Sequence, residues 1–224
     1  MNDSEKQRIM LGHPSCPKVM TEIPAQLAEL GNQRPVGLIL PPVQPGSANI
    51  LEKILELLME FQDIEITAND WGTLVHTGEW KQKNKGQTKL IMGLLLSGQE
   101  SDPAIRYFIE RQEDRILRIG GKAVLFQWEP PPEELRNHWS EPAAFHMTDM
   151  LRRIGVDEIE LGLQPVPVSE DGRHLPVRQF PYGLMSVRPC CADCEKCGGG
   201  EIKRAGCRVF FDRNLLIWEN CPSD

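Results

Sequence analysis

The chain has 224 residues, 40% of them hydrophobic, enough to bury a sizeable core as one domain or as one domain with an appended module. Its 25 basic against 32 acidic residues leave a net charge of -7, which argues against a general attraction to nucleic-acid backbones or anionic membranes. No run approaches the roughly 18 to 20 apolar residues that span a bilayer, and MNDSEKQRIM carries no basic stretch leading into a long apolar one, so a cytoplasmic protein without a membrane span is expected.

In chain order, Arg8 to Leu11 is a short apolar run ended by Gly12 and Pro14, a strand leading into the loop that carries His13 and Cys16. A helix over Ile23 to Leu30 stops at Gly31, and VGLIL from Val36 reads as a buried parallel strand stopped by Pro41 and Pro42. Ser47 is a suitable N-cap for the next helix, where Ile50, Leu51, Ile54, Leu55, Leu58 and Phe61 recur at helical spacing. IEIT from Ile64 is a strand running into Asn69 and Asp70, a helix follows Gly72, and LIMGLLL from Leu90 reads as a continuous apolar strand.

Beyond it the pattern predicts a charged helix near Ile105 to Arg118 and a strand from Ala123, before the proline run at Pro130. Pro142 at a helix start, an apolar face of Phe145, Met150, Leu151 and Ile154, Gly155 as the stop and DEIELGL as a strand make a further αβ unit. Repeated βα units with apolar strands imply an α/β body over residues 1–164, a mostly parallel sheet covered by helices and either open or curled into an incomplete TIM-like barrel. About six strands are expected, where a full barrel needs eight.

Residues 165–224 turn to proline, glycine and cysteine with scattered β signals, RVFF and NLLIW among them, and read as a metal-organised module. Six of the seven cysteines lie between Cys190 and Cys221, a clustering that in a reducing compartment points to a metal. Cys191, Cys194 and Cys197 form CxxCxxC, whose tight turns let three thiolates converge on one iron–sulfur centre. The remaining ligand of such a centre comes from a distant cysteine followed by proline, as both Cys16 and Cys221 are. Zinc is the alternative cofactor; its tetrahedral site would use Cys194 and Cys197 with, for example, Cys190 and Cys207, although the CxxC pairs overlap in one run.

Other candidates are weaker. Asn69 and Asp70 sit at the carboxyl end of a strand, where α/β proteins place chemistry, but Asp70 also suits the N-cap of the next helix. Glu158 and Glu160 alternate with apolar residues and so point to one side of a strand, into a barrel interior or a salt-bridged layer. His13, three residues before Cys16, can shuttle a proton or be a simple polar loop residue. Trp128 and Trp139 flank the proline-rich stretch, and Lys81, Lys83, Lys85 and Lys89 form a basic set best read as a solvated helix end and loop.

Three patches, RIMLGHPSCPKV, ITANDWGTLVH with LIMGLLL, and RRIGVDEIELGLQPVPV with FPYGLMSVRPC, resemble in the same order the collagenase-like peptidase family U thirty-two. That family includes proteins of oxygen-independent ubiquinone biosynthesis and of tRNA and rRNA hydroxylation. The resemblance implies a barrel-like protein holding a [4Fe-4S] cluster with Cys16 and three cysteines of the C-terminal group. Cys190 stands where the family's first clustered ligand falls, and the ferredoxin spacing prefers Cys191. Against the family the chain enters near the second barrel strand, and its later cysteines are more closely packed. Peptidase activity is not expected, because no serine or cysteine nucleophile has a recognisable base and no HExxH is present.

The function expected is a redox enzyme, or a subunit of one, supporting oxygen-independent hydroxylation or a related modification, with Asp70 and His13 as candidate catalytic residues. The substrate is open between a small molecule and RNA, and a redox partner or a second subunit completing the barrel is expected. The contrasting reading is a noncatalytic binding module stapled by zinc.

Overall fold

A computed structural model of the chain describes residues 8–31, 34–43, 45–84, 87–97, 115–119, 122–126, 147–162, 174–180, 182–186, 200–204, 207–212 and 215–219. In chain order its elements are β1 (Ile9–Gly12), α1 (Pro17–Met20), α2 (Ile23–Leu30), β2 (Val36–Leu40), α3 (Ala48–Leu58), β3 (Asp63–Ala68), α4 (Trp71–Lys83) and β4 (Gln87–Met92). There follow β5 (Arg115–Ile119), β6 (Lys122–Phe126), α5 (Thr148–Ile154), β7 (Glu158–Leu161), β8 (Val177–Gln179), β9 (Tyr182–Ser186), β10 (Gly200–Arg204), β11 (Cys207–Asp212) and β12 (Leu215–Glu219).

Six strands form one sheet in the order β1-β2-β3-β4-β7-β8, parallel at every pairing. The order never reverses, so each new strand is laid on the same growing edge, and right-handed crossovers then carry the helices to one face. Alternate strand residues meet those helices. Val36, Leu38 and Leu40 of β2, Ile64, Ile66 and Ala68 of β3, Leu90 and Met92 of β4, and Ile159 and Leu161 of β7 share one buried core with Leu27, Ile54, Leu55, Leu58, Leu74 and Leu151. Residues between them face the other way. They include Gly37 and Ile39, Glu65 and Thr67, Lys89 and Ile91, and Glu158 and Glu160.

Several expectations change. LIMGLLL is not one strand, because Gly93 donates its N–H to Ala68 O at 2.8 Å and turns the chain through Leu94–Ser97. Arg115–Ile119, placed at the end of a charged helix by composition, pairs antiparallel with Lys122–Phe126 in a hairpin. Neither strand joins the parallel sheet, and the hairpin belongs to a separate compact unit, Glu100–Pro142. The sixth parallel strand is instead Val177–Gln179, beyond residue 164. Met150, assigned to the apolar face of α5, is exposed. Pro142, Phe145, Trp128 and Trp139 lie outside the described residues.

RVFF and NLLIW fall in β11 and β12, which with β9 and β10 make an antiparallel sheet in the order β10-β11-β12-β9. The pairings Leu215↔Ser186 and Gly200↔Phe211 put the end of β9 and the start of β10 at one end of this sheet. Arg204↔Cys207 and Glu219↔Tyr182 mark the opposite end.

Candidate functional site

The loop after β1 is built tightly. Gly12 has a φ of 100°, a left-handed conformation that favours glycine, and a Cβ there would stand 2.1 Å from Ile39 O. His13 N donates to that same oxygen at 3.0 Å. Nδ1 of His13 accepts from Ser15 N at 3.2 Å and lies 3.4 Å from the Ser15 hydroxyl, which makes Nδ1 the acceptor nitrogen of a neutral ring. Cys16 follows in extended conformation immediately before Pro17 opens α1, and only 1% of it is exposed. His13, Ser15 and Cys16 are thus buried together at the carboxyl edge of the parallel sheet.

Asp70 and Asn69 hold the neighbouring loops. Asp70 is the N-cap of α4: Oδ1 accepts from Thr73 N at 3.0 Å, and Oδ2 accepts from the Thr73 hydroxyl and, at 3.2 Å, from Val43 N in the loop after β2. Asn69 is buried; its Nδ2 donates to Leu40 O at 3.2 Å and its Oδ1 accepts from Leu95 N at 3.3 Å. Gly93 permits this, since a Cβ there would lie 2.3 Å from Asn69 Oδ1. The two side chains tie together the carboxyl ends of β2, β3 and β4.

The face turned away from the helices carries charge. Arg178 Nη1 donates to Glu65 Oε1 at 2.7 Å and Nη2 to Glu158 Oε2 at 2.9 Å, and Lys89 Nζ meets the same Glu158 oxygen at 2.7 Å. Arg8, just before β1, places Nε 3.9 Å from Glu65 Oε2, while its Nη1 donates to Val36 O and its Nη2 to Asp63 Oδ1 at 2.8 Å. Glu65 therefore receives arginines from both edges of the sheet. β3 and β8 lie three strands apart in the sheet order, about 14 Å in a flat sheet. Side chains standing perpendicular to a flat sheet would not meet over that span, so this face is concave.

Burial pushes the Glu65 carboxyl up, but the hydrogen bond and charge of Arg178, followed by the charges of Arg8 and Lys89, outweigh it and hold the pKa below the usual value. Arg178 is raised in turn, first by its hydrogen bond to Glu65. Glu160 behaves in the opposite way. Its Oε1 accepts from the Thr67 hydroxyl at 3.4 Å and its Oε2 from Leu94 N at 3.3 Å. Burial dominates there and raises its pKa to about 7, against the pull of Arg178, Leu94 N–H and Thr67 and with a small push from Glu65.

Comparison with protein-family models, curated proteins and solved structures finds no match to this chain. Cys190, Cys191, Cys194, Cys197 and Cys221 lie outside the described residues, and Cys207 opens β11 at the end of its sheet opposite Ser186 and Gly200. Among the described residues no group of three or more His, Cys, Asp or Glu side chains is arranged to hold a metal. No helix among them is long and apolar enough to cross a membrane.

Of the basic set, Lys85 lies outside the described residues, and Lys81 and Lys89 are engaged in different places. Lys81 donates to Gly155 O at 2.8 Å and pairs with Asp157, bracing α4 against the loop after α5, whereas Lys89 belongs to the concave layer. Sequence reasoning placed Glu158 and Glu160 on one side of a strand but passed over Arg8, Glu65 and Arg178. The available signal was a charged residue set inside an apolar strand, as in IEIT and PVRQ.

Proposed function

We propose that the chain is a cytoplasmic iron–sulfur protein in which Cys16 and three cysteines of the run Cys190, Cys191, Cys194 and Cys197 hold a [4Fe-4S] cluster. Its body is an incomplete TIM-like barrel with a Cys-rich C-terminal module, as in the U thirty-two family it resembles. The observation that carries the reading is the burial of Cys16 on the loop at the carboxyl end of the first parallel strand, where α/β proteins assemble their chemistry. A soft thiolate shielded from water suits an iron–sulfur centre, and Ser15 and the neutral ring of His13 lie on the same loop. The unreversed strand order and the convergence of Arg8 and Arg178 on Glu65 support a sheet that curls toward a barrel.

Three cysteines of that run supply three corners, and Cys16 is the fourth. Cys207 fits less well, because it stands at the end of the antiparallel sheet opposite the strand ends that bracket the run. When bound, such a cluster supplies electron transfer. The chain's own residues exclude water at Cys16, place His13 to move a proton beside it, and use Asp70 to hold the loops around it. The activity is that of a redox enzyme or subunit in oxygen-independent hydroxylation or a related modification, with a second subunit completing the barrel.

Anaerobically purified protein is expected to be brown, with about four irons and four sulfides per chain. Cys16→Ser is expected to lose most of this iron and Cys207→Ser to keep it. An iron-free, sulfide-free protein containing one zinc would overturn the reading in favour of a zinc-stapled binding module.

A further inference from the structure

Among the described residues of the concave face, Arg8, Lys89 and Arg178 make close ion pairs with Glu65 and Glu158, whereas Glu160, although it faces Arg178 across the β7–β8 pairing, makes none. Glu160 stands nearer the carboxyl end of β7 and is met by two neutral donors, the Thr67 hydroxyl and Leu94 N–H. Among the described residues no lysine, arginine or histidine lies within ion-pair distance of it. A largely buried carboxylate whose neighbouring cation, Arg178, is held by Glu65 and Glu158 has no direct ion pair, and such groups collect at sites that bind something.

The turn that serves Glu160 is rigidly built. Asn69 Oδ1 receives Leu95 N–H, the Ser97 hydroxyl donates to Leu94 O at 2.9 Å, and Ser97 N and Leu96 N both donate to Gly93 O. The Leu94 N–H is thus aimed at the carboxylate by its surroundings. Each Glu160 oxygen accepts one bond from these donors and keeps a further lone pair for a ligand.

We propose that Glu160, Thr67 and the Leu94 N–H form a binding site for a small protonated nitrogen compound, such as an amine, an amidine or a basic heterocycle, on the concave face at the carboxyl end of the parallel strands. The ligand supplies the direct ion pair that Arg178, engaged by Glu65 and Glu158, does not make, and its N–H groups fill the open lone pairs. Glu65 on β3, Glu158 on β7 itself, Lys89 on β4 and Arg178 on β8 are the charged groups facing this position, and they are already matched to one another. Because burial holds Glu160 half protonated near neutrality, a bound cation must expel its proton. Affinity for a ligand that stays protonated is therefore expected to rise roughly 30-fold from about pH 5.5 to about pH 8. The site draws on the fold and not on the proposed cluster.

The test uses the full chain with carbon-13-labelled glutamate carboxyls, titrated by NMR alone and with methylammonium, benzamidinium or imidazolium, against sodium chloride at equal ionic strength. The Glu160 midpoint, near 7 in the free protein, is expected to fall by about one unit or more with at least one probe and to stay put with sodium. The Leu94 amide signal should shift with it. Folded Glu160→Gln should lose the binding, and Thr67→Val, which leaves the carboxyl in place, should raise the midpoint further. No response to any of the three cations, binding undiminished in Glu160→Gln, or a Glu160 already ionised at about pH 5 would each overturn the proposal. Iron content of the same samples separates this result from the fate of the cluster reading.

Discussion

Glu160 and Glu65 share one face of one sheet and carry opposite pKa shifts, so they act on stability in opposite directions. The folded chain keeps a proton on Glu160 up to about pH 7, whereas the unfolded chain releases it near the ordinary value of 4.5. Glu160 thus favours the fold at low pH, and this contribution is lost as pH rises from 4.5 through about 7. Replacing it by glutamine removes that slope; denaturant titrations should show Glu160→Gln more stable than the parent at about pH 8, by on the order of 2 kcal/mol, with the gap closing near about pH 4. Glu65 does the reverse: its contribution is complete above the ordinary carboxylate value and is lost as pH falls through its lowered one. Backbone constraints act at the same scale. Gly12→Ala would drive a Cβ against Ile39 O at a position of positive φ, and is expected to cost about 2 kcal/mol or more in chemical denaturation.

The elements of the parallel body were largely legible in the sequence. Leu51, Ile54, Leu55 and Leu58 of α3 sit at the spacing that predicted them and are all buried, and VGLIL is the buried parallel strand its apolar run implied. Ser47 occupies the expected N-cap of α3 without a side-chain bond to the helix, so helical periodicity located this element better than its cap did. The cap with structural weight is Asp70, which binds the first turn of α4 and the loop after β2 together. Asp70→Ala is expected to destabilise the chain by about 1 to 2 kcal/mol, with Asp70→Asn recovering part of the loss, both read as shifts in the denaturation midpoint. Where element assignment failed, local signals were ambiguous. LIMGLLL is apolar throughout, and only the approach of Asn69 to Gly93 decides that the strand ends at Met92.

At the scale of the molecule, the Arg8–Glu65–Arg178 contact joins the two edges of the six-stranded sheet to one carboxylate. Arg178→Met takes from the buried Glu65 the closer of its two arginines and leaves it Arg8 at 3.9 Å, so the change is expected to cost about 2 kcal/mol or more. The double change Arg178→Met with Glu65→Leu should recover most of that cost, because the weakly paired buried charge is then gone. A double change as costly as the sum of the two single ones would show that the contact does not hold the curvature of the sheet.

The sequence by itself determined the α/β class, the periodic helices, the apolar strands and the clustering of cysteines after Cys190, because each depends on residues close together in the chain. Strand membership and register depend on pairings between distant segments. Only the tertiary structure decided that Val177–Gln179, and not Lys122–Phe126, completes the parallel sheet. The same long-range pairings bring Arg8 and Arg178 onto Glu65 from opposite edges and leave Glu160 beside Thr67 and Leu94 N–H with no ion pair among the described residues.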